Sequence, residues 1–436
     1  MFARKSLEIL KKWYASKKRK PLVLRGARQV GKTYLVNQLA QDLKINLIEI
    51  NFELQTFTSL NAETINMKSL INEIELNIGR RLQPKNDLIF FDEIQKSPRA
   101  FVALRYFYEK HPELAVVAAG SLLDFLFQDQ TISIPVGRIE FHFLGPVTFS
   151  EYLLAKNKML LYEEYLKKPE KISPGAHQLL RQEWTSFLIT GGMPECVQGD
   201  ADNEDIFQIR KIQKNIFNTY KADILKYSKG TQITRCESVF DYVPGHIGQK
   251  VKYSEIDPDE RSKNLKAAIL LLTYARIVLP VFHSNATSIP LKSVADERIF
   301  KLFHLDVGLV SAGLQINSPL VPSSPSFGAM SEQFVAQHLA YLDSSDEPQL
   351  FYWLKDKSSV KAEVDFIHSH NGQVVPIEVK STRSAKSRSL SVITEVLKGI
   401  KTTIKYSPDE YRLKNSEGIR QIECPIYLVE RINEFI

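Results

Sequence analysis

Cysteine is nearly missing from this chain. Its three cysteines, Cys196, Cys236 and Cys424, lie far apart and form no C-x-x-C pair. That excludes a disulfide scaffold and offers no zinc-ligand spacing. Long apolar runs are missing as well. The most apolar stretch, residues 267–282, is broken by Arg276 and Pro280 and falls short of the ~18 apolar residues a membrane helix needs. The first twenty residues carry eight Lys or Arg against one Glu and lack the apolar core of a secretory signal. Three readings of this basic segment stay open: a solvated helix face, a nucleic-acid contact, and an organellar presequence. A cytoplasmic protein with no membrane contact is the default expectation.

What is present suits a globular protein. Hydrophobic residues make up 44% and charged residues 25%, enough to bury several cores. The 436 residues correspond to about three domains at roughly 150 residues each. A net charge of +7 is compatible with a polyanionic partner without requiring one.

Residues 22–33 read LVLRGARQVGKT, a complete G-x-x-x-x-G-K-[ST] phosphate loop with Gly26, Gly31, Lys32 and Thr33 at the defining positions. A strand-like run precedes it and a helical pattern (Leu35, Val36, Leu39) follows. That context separates a working loop from a chance match. Backbone N–H groups of Gly26, Ala27, Arg28, Gln29, Val30 and Gly31 would close around phosphates at a helix N-terminus. Lys32 would reach the β- and γ-phosphates, and Thr33 would ligate Mg²⁺. ATP and Mg²⁺ are the expected cofactors.

Residues 88–93 read LIFFDE: a buried strand whose end presents two carboxylates. Behind a P-loop, Asp92 is expected in the Mg²⁺ shell, and Glu93 is placed to orient or deprotonate the attacking water. Ser121, at the end of a neighbouring strand, reads either as a γ-phosphate contact or as a helix cap. Arg138 reads either as an arginine finger, acting in cis or from a neighbouring subunit of a homo-oligomer, or as an ordinary surface residue.

The alternation of apolar runs and helical patterns over residues 1–145 predicts a parallel α/β sheet, with strands at 21–25, 46–51, 87–91 and 114–119. Residues 146–230 read as helical. Residues 231–316 suit either a winged-helix-like module or a generic helical linker domain, with strands at 277–282 and 303–305. The Pro/Ser-rich stretch 317–327 predicts a linker. Residues 328–436 begin with a helix, continue through strands at 351–354, 364–368 and 374–380, and reach another helix.

That last region holds a second constellation. In a strand Glu378 and Lys380 project the same way, and a hairpin at Asn371-Gly372 would bring Asp365 beside them. Two carboxylates and a lysine on one patch suit Mg²⁺-dependent phosphodiester hydrolysis. Asp365 and Glu378 would be the metal ligands, Lys380 would position a water, and Glu332 would be a further acidic group. This is the D-x(n)-E-x-K pattern of the PD-(D/E)xK nuclease fold. A charged, exposed strand face is the competing reading. Arg383, Lys386, Arg388, Lys398 and Lys401 suit phosphate contacts or solvated helix faces equally.

Together these residues resemble a widespread family of bacterial and archaeal AAA-type ATPases whose C-terminal region is similar to a PD-(D/E)xK nuclease. The markers are RGARQVGKT (25–33), FFDEIQ (90–95), GS (120–121), GR (137–138), PVTFSEYL (146–153), GGMPE (191–195), KLFHLDVGL (301–309), EVDF (363–366) and PIEVKS (376–381). Met193 stands where the family more often has Phe. The resemblance implies an α/β chain: an AAA-like P-loop NTPase sheet, a helical or winged-helix-like middle region, and a C-terminal α/β nuclease-like domain. Two functions fit. One is an ATPase coupled to nucleic-acid cleavage, with DNA as the foremost partner. The other is an ATP-dependent signalling switch whose nuclease-like domain binds without cleaving.

Overall fold

The computed structural model describes residues 2, 4–61, 64–126, 135, 137–316, 325–355, 361–381 and 388–436. The chain forms two compact units. One holds Ala3–Gly145 and Asp343–Glu347; the other holds Pro146–Leu342 and Pro348–Ile436 with the first two residues.

The first unit is built on five parallel strands: β1 (Leu22–Arg25), β2 (Asn46–Asn51), β3 (Asp87–Asp92), β4 (Ala115–Gly120) and β5 (Glu140–Phe143). Their order is β2-β3-β4-β1-β5. Strands β3 and β4 are buried along their whole length, which is why they read as continuous apolar runs. Because every strand is parallel, all C-terminal ends share one edge of the sheet. That edge brings the ends of β1, β4 and β3 side by side. The N-terminal helix Ser6–Ala15 buries Leu7, Leu10 and Trp13, so its apolar stripe belongs to the core. Its Lys11 pairs with Glu8 and Asp42 at 2.8 and 2.9 Å.

The second unit carries an eight-stranded mixed sheet: β6 (Val278–Ser284), β7 (Ala295–His304), β8 (Leu350–Lys355), β9 (Ala362–His370), β10 (Gln373–Val379), β11 (Thr402–Ser407), β12 (Arg412–Ser416) and β13 (Ile419–Pro425). Its order is β12-β13-β11-β10-β9-β8-β6-β7. This corrects the expected division at 231–316. The strands assigned to a wing do pair with each other, but β6 also pairs in parallel with β8, so the wing is the edge of the larger sheet.

The helical region at 146–230 is likewise not separate from the C-terminal region. The Phe149 ring lies 6.0 Å from Phe187, 6.2 Å from Phe334 and 6.2 Å from Tyr427, a single aromatic core drawn from distant parts of the sequence. The expected linker falls outside the described residues except at its end, where Pro325 already begins the helix Pro325–Ala340. The PVTFSEYL marker explains itself locally. Thr148 accepts the N–H of Glu151 while Glu151 accepts that of Thr148, a capping box that starts the helix Phe149–Ala155.

Candidate functional site

The P-loop joins β1 to the helix Lys32–Leu43. Gly26 is forced by contact as well as by backbone: a Cβ there would sit 2.2 Å from the Leu144 carbonyl oxygen. Gly31, at φ 93°, opens the helix in a conformation few L-residues adopt. From behind the loop, the buried Arg4 donates to the Val30 and Gly145 carbonyls, both at 2.9 Å. Lys32 is buried and donates to the carbonyls of Gly26 and Ala27 at 3.0 and 2.7 Å. Burial pulls its pKa down to about 8, against the opposing pull of Glu93 and Asp92.

Thr33 Oγ1 donates to Asp92 Oδ2 at 3.1 Å, so the P-loop hydroxyl and the carboxylate ending β3 meet. One hydroxyl and one carboxylate are the oxygen donors that suit Mg²⁺, which keeps several waters of its own. Glu93 follows at φ 50°, a left-handed turn that swings its side chain off the strand axis. Ser121 is 3% exposed, and its Oγ has no hydrogen-bond partner among the described residues, so it does not cap the next helix. That removes the cap reading.

Arg138 does not join this group. It precedes β5, whose first residue Glu140 pairs with Leu22 at the start of β1. It therefore lies at the sheet edge opposite the P-loop, where its Nε donates to Glu109 at 3.0 Å. This corrects the expectation that Arg138 could serve its own chain's nucleotide.

A site residue the sequence did not suggest is Arg25. Its guanidinium is buried, pairs with Asp124, and stacks over Phe141 and Phe143 at 5.1 and 4.6 Å. It ties the segment after β4 to the strand that carries the P-loop.

The C-terminal constellation forms around the β9–β10 hairpin. Asn371 and Gly372 both take positive φ, 47° and 75°, as a tight two-residue turn requires. The register pairs Ile377 with Phe366, which places Glu378 across from Asp365. Asp365 Oδ2 accepts the Val379 N–H at 2.7 Å, and Lys380 bonds Glu378. Burial raises the pKa of Asp365, Glu378 and Glu332 together, and the Asp365 charge raises the other two further.

Two partners were not foreseen. Lys301 on β7, 1% exposed, pairs with Glu363 and lies 5.0 Å from the Tyr352 ring. Gly248 packs so closely on Glu332 that a Cβ would meet its Oε2 at 2.2 Å. A lone lysine in an alternating strand carries no signal in the sequence. For a metal, the buried Oε2 atoms of Glu332 and Glu378, without a hydrogen-bond partner among the described residues, fit a cation. As the side chains stand, however, no group of three His, Cys, Asp or Glu among the described residues is arranged to hold one. Arg383 and Lys386 lie outside the described residues, and Arg388, Lys398 and Lys401 are exposed.

Comparison with known proteins agrees with the first unit's geometry. Residues 18–153 match the AAA domain family, and this part of the chain is an AAA-type P-loop ATPase domain. Residues 181–320 and 327–427 match two families described as domains of unknown function, DUF8612 and DUF4143. No curated protein matches the chain.

Among solved structures, the Walker-type ATPase of Pyrococcus abyssi is 15% identical, covering 72% of this chain and 96% of that one at a TM-score of 0.47. The ORC1 protein of Aeropyrum pernix, solved in complex with DNA, is 12% identical over 72% and 93% of the two chains, with a TM-score of 0.32. The RuvB Holliday junction branch migration motor of Thermotoga maritima is 18% identical over 50% and 77%, with a TM-score of 0.25. These overall likenesses are loose. Among the described residues, no helix is long and apolar enough to cross a membrane.

Proposed function

We propose that the protein is a Mg²⁺-dependent ATPase of the AAA type, coupled to a C-terminal PD-(D/E)xK nuclease-like region that acts on nucleic acid, DNA foremost. The observation that carries the ATPase reading is the Thr33–Asp92 hydrogen bond beside Glu93. Lys32 would exchange its loop carbonyls for β- and γ-phosphate oxygens. Thr33 and Asp92 would hold Mg²⁺, which neutralises charge on the transferred phosphoryl group. Glu93 orients the water and takes its proton, and Ser121 contacts the γ-phosphate. Arg138 would then serve either a neighbouring subunit's nucleotide in a homo-oligomer or only its exposed ion pair with Glu109.

For the C-terminal region, support comes from the chain order: helix, three antiparallel strands, helix, then a strand parallel to the third. Asp365 and Glu378 stand on the second and third of those strands. They and Glu332 would hold a divalent cation, and Lys380 would position the attacking water. A second reading, the ATP-dependent signalling switch, draws support from the pairs Lys380–Glu378 and Lys301–Glu363, which already balance carboxylate charge.

Incubating assorted DNA and RNA with Mg²⁺ or Mn²⁺, with and without ATP, separates the two. Cleavage, together with DNA-stimulated ATP hydrolysis and binding that weakens steeply with salt, supports the enzyme. ATP hydrolysis indifferent to DNA, without cleavage, supports the switch.

A further inference from the structure

Two residues after Glu93 stands an amide with a buried oxygen. Gln95 lies in a single 3₁₀ turn, Ile94–Lys96, which folds the chain back immediately after β3. Its Nε2 donates to Glu93 Oε2. A carboxylate can only accept, so the amide must turn its NH₂ toward Glu93 and its carbonyl away. That carbonyl, Oε1, is buried and has no hydrogen-bond partner among the described residues. It sits over Gly120 at the end of β4, where a Cβ would approach it to 2.3 Å. The next residue, Ser121, holds a second buried oxygen without a partner among the described residues.

Leaving a buried polar group unmade costs about 1–3 kcal/mol, so two neighbouring orphans are a feature to be explained. The left-handed Glu93, at φ 50°, adds local strain at the same place. All three lie on the sheet edge where β4 separates β3 from the P-loop strand.

Resting on the ATPase reading above, we propose that Gln95 is a catalytic residue of the ATP site: its amide holds the Glu93 carboxylate, and its carbonyl receives a hydrogen bond from the attacking water. A water about to attack has two O–H bonds. Glu93 takes the proton of one, and Gln95 Oε1 accepts the other, which fixes the lone pair toward phosphorus. The water oxygen then bonds to the γ-phosphorus as the bond to the β–γ bridging oxygen breaks. ADP leaves with that oxygen. The first proton passes from Glu93 to solvent, and the second stays on the released phosphate. The Ser121 hydroxyl donates to a γ-phosphate oxygen. Gly120 is needed because any side chain there would displace the Gln95 amide.

The test measures kcat, KM and equilibrium ATP affinity for wild type, Gln95→Ala, Gln95→Glu and Gly120→Ala, and for Gln95→Ala combined with Glu93→Gln. Gln95→Glu keeps the shape but sets carboxylate against carboxylate. Each single substitution should lower kcat roughly 10- to 100-fold, the usual cost of losing a residue that orients a catalytic group. ATP affinity should stay within about twofold, because ground-state binding does not use Gln95. In the Glu93→Gln background the added Gln95→Ala should change turnover by less than about threefold, since residues that act as a unit are not additive. Unchanged kcat in Gln95→Ala overturns the proposal, and so does an equal loss in both backgrounds or a parallel loss of ATP affinity. A wild-type protein that does not hydrolyse ATP at all overturns the ATPase reading itself, a different and separable result.

Discussion

The Asp306 carboxylate accepts the backbone N–H of Gly192 at 2.5 Å and, through its other oxygen, that of Gly308 at 2.9 Å. This contact explains why two sequence motifs without evident chemistry occur in one chain. GGMPE and HLDVGL are the two halves of one buried lock. A Cβ on Gly191 would reach 2.3 Å from Asp306 Oδ2, and one on Gly308 would reach 2.6 Å from the Thr190 carbonyl. The Gly192 carbonyl in turn accepts the Val147 N–H at 2.7 Å.

Substitution within the lock should therefore be severe. Gly192→Ala places a methyl 2.3 Å from the Val147 carbonyl oxygen, and backbone cannot step aside as a flexible side chain does. We expect a loss of about 3 kcal/mol, at the upper end of overpacking costs. Urea unfolding of the purified protein measures it. A midpoint equal to wild type would mean that the two motifs do not interlock.

The lock also carries a pH signature. Burial raises the Asp306 pKa to about 6, outweighing the backbone hydrogen bonds from Gly192 and Gly308 that lower it. The folded state thus binds the proton more tightly than the unfolded chain. Its stabilising contribution is fully present below about pH 4 and is lost as pH rises through about 6, a difference of about 3 kcal/mol. Asp306→Asn has no such proton. The wild-type stability relative to that variant should fall by this amount between pH 4 and pH 7, and a constant difference would contradict it.

Lys301 offers a test of the buried charge cluster. Burial lowers its pKa, yet Glu332, Glu363 and Asp365 together hold it above the ordinary lysine value. Lys301→Met keeps the length and removes the charge, leaving Glu332 and Asp365 with less compensation. We expect a loss of about 3 kcal/mol, as when one partner of a buried ion pair is removed. A variant as stable as wild type in thermal unfolding would show that the cluster does not depend on this lysine.

The two sites should answer separately to mutation. Asp365→Ala or Lys380→Ala should abolish any metal-dependent cleavage and leave basal ATP hydrolysis near wild type, because each site draws its ligands from its own unit and sites without shared partners act independently. Both activities should be assayed on one preparation. Collapse of ATP hydrolysis in either variant would show that the C-terminal region completes the ATP site.

Much of the first unit was legible because its signals are local. Walker-type loops, buried parallel strands and a carboxylate pair at a strand end each announce themselves within a dozen residues. β5 escaped because it is four residues long, with its first half exposed or half-buried, so it has no clean pattern. The middle region was misdivided for a different reason. β6 and β7 look like a self-contained wing until β8, some seventy residues on in the sequence from β6, pairs with β6. Such long-range pairing leaves no local trace. The hairpin that sets Asp365 across from Glu378 was readable from Asn371-Gly372, whereas Lys301 and Gly248 reach the same cluster only through tertiary packing.

ATP hydrolysis at the Lys32–Thr33–Asp92–Glu93 site is decided by measuring ATP affinity and turnover in parallel for wild type, Lys32→Ala and Glu93→Gln. Wild type should show Mg²⁺-dependent turnover, and Lys32→Ala should lose tight ATP binding. Glu93→Gln should bind near normally while turning over at least ~100-fold more slowly. Wild-type turnover in Glu93→Gln, or ATP binding undiminished in Lys32→Ala, would contradict it.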